Sequence, residues 1–92
     1  MDELRALREQ MDGADDELLA AFERRKRVAG QIGRLKKRDA LPTADEGRER
    51  AVLERLTARC APDLRAYLPS VWGALFAASK AFQLTPSSDK DA

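Results

Sequence analysis

An arginine occupies a position that a heptad normally gives to an apolar side chain. Leu4, Met11, Leu18, Arg25 and Ile32 recur every seven residues, and Leu7, Ala14, Ala21, Val28 and Leu35 form the companion series, the pattern of an apolar helix seam. A guanidinium in such a seam is costly to desolvate unless an anion meets it or its long stem carries the charge out to water. Lys36 follows Arg25 by eleven residues, close to three helical turns, so both cations lie along nearly one line with Ile32 between them. Together they frame a gap suited to a small dicarboxylate. Arg8 precedes Arg25 by seventeen residues, about 25 Å along a helix axis. It cannot serve the same ligand within one chain, but in an antiparallel dimer it could reach the partner's site; alone it reads as an ordinary surface arginine.

Two further sets of polar residues fall at helical spacing. Asp45, Arg48 and Glu49 share a face beside Val52, which is also what a simple ion-pair cluster looks like. Phe76, Ser79 and Gln83 share another, placing a hydroxyl and an amide in a stretch otherwise rich in Ala, Leu and Phe. Partly exposed polar residues near a helix end would give the same pattern. The functional reading gains weight because three separate segments each offer one polar set on an apolar face.

The missing residue types narrow the chemistry. The chain has no histidine and one cysteine, Cys60, which removes the usual general base, Ser-His and Cys-His nucleophiles, and His or multi-Cys metal sites. Any reaction must manage without them.

These residues need helices to position them. Hydrophobic residues make up 43% of the 92-residue chain, charged residues 36% and aromatics only 5%, the profile of an all-α bundle with a charged surface. The heptads predict a long first helix ending near Arg38. Thr43-Ala44-Asp45-Glu46 has capping-box spacing, which starts a second helix at Thr43; Ala61-Pro62 ends it. A third helix runs to about Leu84, its regular part beginning near Pro69. Gly13, Gly30 and Gly33 weaken the first helix, so at least one is expected to permit close packing. Residues 1–84 form one domain, and the small, polar stretch 85–92 is expected to be a disordered tail. So long a seam in so short a chain predicts a homodimer.

The 17 basic and 16 acidic side chains leave a net charge of +1, so no overall field favours nucleic acid or a membrane surface. No apolar run is long enough to span a bilayer. The single cysteine and the charged N-terminus fit a cytoplasmic protein.

The order of these residues resembles the all-helical bacterial chorismate mutase family, type II. Leu7-Arg8-Glu9, Asp15 with Leu18-Leu19, Glu23-Arg24-Arg25, and Ile32-Gly33 followed by Lys36 look like the family's first helix. Pro42, Asp45, Arg48-Glu49-Arg50 and Leu53-Glu54-Arg55-Leu56 look like its second, and Phe76, Ser79 and Gln83 like its third. The resemblance implies three helices per chain in an intertwined homodimer, and rearrangement of chorismate to prephenate in aromatic amino acid biosynthesis, without metal or cofactor. It also implies that Arg25 and the other subunit's Arg8 hold substrate carboxylates, that Lys36 and Gln83 hydrogen-bond the ether oxygen, and that Glu49 meets the ring hydroxyl. Asp45, Arg48 and Ser79 would be supporting polar positions, and Ile32 and Phe76 apolar walls. Phe76, Pro69 and Trp72 depart from the family's usual third helix. An isochorismate pyruvate-lyase or a mutase of the amino analogue could occupy the same fold, and a non-catalytic dimeric adaptor would account for the heptads alone.

Overall fold

The first helix, α1, spans Asp2–Arg38 and sets the size of the molecule. Its 37 residues, at about 1.5 Å each, account for the longest dimension of 56 Å. Asp2 and Glu3 stand in its first turn and Lys36, Lys37 and Arg38 in its last, the arrangement its dipole favours. Arg38 donates to Asp39 at 2.9 Å, a bond that holds the guanidinium's pKa above its ordinary value. The structure, a computed structural model, describes residues 1–86; the tail expected at 85–92 lies outside the described residues from position 87 onward.

α1 stops in a Schellman turn, in which Ala40 N–H donates to the Lys37 carbonyl and Leu41 N–H to the Lys36 carbonyl at 2.8 Å. Ala40 takes the left-handed conformation this turn requires, with φ 56°. The second helix, α2, spans Glu46–Arg59. Its cap differs from the one expected: Asp45, not Thr43, is the N-cap, accepting from Arg48 N–H at 2.9 Å. The aspartate lies closer to the helix and its carboxylate also suits the positive end of the dipole, while Thr43 remains in the loop. After α2, Pro62–Tyr67 form a 3-10 helix that leads directly into α3, Leu68–Leu84. The start of α3 beside Pro69 agrees with the sequence expectation; the 3-10 turn was not anticipated.

α3 packs on the C-terminal half of α1 and also on α2. Its contact with α1 is anchored by Phe22 and Phe82, whose ring centres are 6.0 Å apart, and by a close approach at Gly33. A Cβ on Gly33 would overlap the Gln83 carbonyl, so Gly33 fulfils the close-packing expectation. Nothing lies within 4 Å of a Cβ built on Gly13.

α3 leaves most of the heptad seam uncovered, Ala21 and Arg25 being the seam residues that are partly buried. Ala29, Gly30 and Gly33 are the buried residues of α1, because small side chains let another helix approach. Leu7, Met11, Leu18 and Val28 remain exposed. Among the described residues Ala29, Val52 and Leu68 are the buried apolar ones, a core too small to offset the entropy of ordering a domain. Among the described residues no helix is long and apolar enough to cross a membrane.

Candidate active site

The C-terminal half of α1, the start of α2 and the C-terminal half of α3 border an open cavity of about 460 Å³, a size suited to one small organic ligand. Arg25, Ile32, Lys36, Asp45, Arg48, Glu49, Phe76, Ser79 and Gln83 all line it. Arg8 does not. It borders a separate depression near the start of α1 with Arg5, Glu9 and Asp12, as the separation along the helix axis requires.

Arg25 is half-buried and does not snorkel. Its Nη2 donates to Ser79 Oγ at 2.9 Å, which points the guanidinium across the α1–α3 junction. Its Nε is buried and has no hydrogen-bond partner among the described residues. Such a donor costs free energy until an acceptor meets it.

Lys36 makes two bonds, one to Gln83 Oε1 at 3.0 Å and one to the Thr43 carbonyl at 2.9 Å. The second ties the α1–α2 loop back onto α1. The first orients the glutamine, because an ammonium can only donate and so must face the amide oxygen. The amide NH2 of Gln83 is then left as a donor, next to a third N–H on Lys36. Asp45 commits one oxygen to the α2 cap, so Arg48 is held by its own backbone at the cavity edge. Glu49, one residue on, lies 3.3 Å from Lys80.

Lys80, Thr43, Arg24, Val28, Ala29 and Val52 also line the cavity and were not among the expected site residues. Lys80 had a signal: it is the sole charged residue of α3. Thr43 had none, since it acts through its backbone carbonyl. Five cations, Arg24, Arg25, Lys36, Arg48 and Lys80, face two carboxylates, Asp45 and Glu49. The three excess positive charges suit a dianion. Val28, Ala29, Ile32, Val52 and Phe76 provide apolar wall between them. Among the described residues no group of three or more Cys, Asp or Glu is placed to hold a metal ion.

A model of the family described as chorismate mutase type II matches residues 7–84. The chain belongs to this family. It is therefore an isomerase that converts chorismate to prephenate. The span that matches chorismate mutase takes in Arg8 and every residue lining the cavity. Comparison with curated proteins and with solved structures gives no match.

Proposed function

We propose that this chorismate mutase works as a homodimer in aromatic amino acid biosynthesis, with each site completed by Arg8 of the other subunit. The observation that carries the catalytic reading is the Lys36–Gln83 pair at 3.0 Å, which leaves an ammonium N–H and an amide NH2 as neighbouring donors in a cationic cavity. The rearrangement breaks the ether C–O bond and forms a C–C bond in one cyclic shift within the substrate, so no proton, nucleophile or cofactor is required. Two things lower its barrier. One is confinement of the flexible dianion in its compact, reactive conformer; Arg25 and the partner's Arg8 do this through the carboxylates, with Ile32 and Phe76 as walls. The other is donation to the ether oxygen as negative charge grows there, by Lys36 and Gln83. Glu49 accepts from the ring hydroxyl, while Ser79, Asp45 and Arg48 hold the surrounding frame.

The dimer is supported by the exposed seam of α1. Leu7, Met11 and Leu18 are each more than half exposed, at 60, 64 and 67%, an apolar row that a second copy's helix would cover.

Loss of chorismate absorbance in the ultraviolet tests the reading directly, with isochorismate run beside it on the same sample. Saturable conversion of chorismate to prephenate is expected; pyruvate release from isochorismate without prephenate formation would replace this reading with a lyase. A bicyclic mimic of the transition state should also raise the melting temperature through linkage, which a non-catalytic adaptor would not show.

A further inference from the structure

Lys80 is the only charged residue among the 17 of α3, a helix otherwise apolar or neutral. It sits between Ser79 and Gln83 on the cavity wall, and its Nζ lies 3.3 Å from Glu49 Oε2 on α2. The two side chains are 41 and 29% exposed. An ion pair this open contributes little to stability, so stability is a poor reason to place a lone cation here. Its electrostatic effect on Glu49 is more consequential. An unpaired carboxylate would attract a ligand ammonium strongly, whereas a carboxylate already paired with Lys80 presents a nearly neutral unit that can still accept from a hydroxyl. An ammonium brought to Glu49 would also meet the like charge of Lys80 a few ångströms away.

We propose that Lys80 is a specificity-determining residue: by pairing with Glu49 across the α2–α3 face of the cavity, it sets the site for a ring hydroxyl and against a ring ammonium. This rests on the reading of Glu49 as the group that meets the ring substituent. Lys80 acts through Glu49 and is a positioning residue.

The test compares purified full-length wild type with Lys80→Met, Lys80→Gln and Lys80→Arg, using chorismate as substrate and its 4-amino analogue as a competitive inhibitor. In both neutral variants the inhibition constant of the analogue, relative to the KM for chorismate, should fall by about two- to fivefold. Lys80→Arg, which keeps the charge, should retain the wild-type ratio. Two neutral variants guard against one that folds poorly, and a purely structural role would not move this ratio in a charge-dependent way. A wild type active on chorismate whose ratio is unchanged in the neutral variants would overturn the inference alone. A wild type inert towards chorismate would overturn the underlying reading, and the inference with it.

Discussion

Gly33 of α1 lies against the backbone of Gln83 on α3, so closely that a Cβ at position 33 would overlap the Gln83 carbonyl and stand 2.7 Å from its Cα. The obstacle is backbone, which cannot swing aside as a flexible side chain would. The glycine thus sets the height at which the Gln83 amide meets Lys36, although Gly33 carries no functional group.

Gly33→Ala should therefore lower chorismate turnover at least about tenfold, since a misplacement of reacting groups by an ångström is costly. It should also destabilise the protein despite alanine's better helix propensity. Gly13→Ala is the control, with open space around it. That variant should keep full activity and gain up to about 1 kcal/mol in stability, read by chemical denaturation beside the kinetics.

Lys36→Ala removes the proposed donor to the ether oxygen and releases Gln83 from the bond that orients it. We expect kcat to fall by about 10²–10³-fold with the helical circular dichroism spectrum intact. Near-normal kcat in a folded sample would count against the assignment of the Lys36–Gln83 pair.

Ser79→Ala and Arg25→Ala should differ in degree. The serine variant loses one bond that orients the guanidinium, at about 0.5–1.5 kcal/mol, and should reduce kcat/KM by no more than about tenfold. The arginine variant removes the proposed carboxylate contact altogether and should abolish measurable turnover; equal effects from the two would argue that Arg25 serves only to hold Ser79.

The proposed sharing of sites between subunits is open to a complementation experiment. Homodimers of Arg8→Ala and of Arg25→Ala should each be inactive, whereas a mixture that has exchanged subunits should regain turnover, because one of the two sites in a heterodimer then carries both arginines. No recovery after verified subunit exchange would place Arg8 outside the site.

Ala40→Gly addresses the frame. Alanine at φ 56° occupies a position where a side chain costs about 1–2 kcal/mol, of which glycine's greater freedom in the unfolded chain returns a part. A net gain of roughly 0.5–1 kcal/mol in unfolding free energy is expected, with activity unchanged.

Much of this protein was readable along the chain because helices announce themselves locally. Heptad spacing outlined α1, Ala61-Pro62 ended α2, and Pro69 marked the start of α3. The misplaced cation Arg25 and its companion Lys36 pointed to an anion site, and the missing histidines to a reaction that manages without them. What the linear order did not reveal depends on which surfaces meet. Periodicity identifies an apolar face but not what covers it, so the buried residues of α1 proved to be Ala29, Gly30 and Gly33, small residues that lie off the heptad series. Two capping residues two positions apart compete on geometry that spacing does not encode, and Asp45 prevailed over Thr43. The Lys36–Gln83 bond and the Glu49–Lys80 pair join residues 47 and 31 positions apart. Such contacts exist only once α3 has packed against α1 and α2, because their distances are set by the crossing of helices and not by the spacing within any one of them.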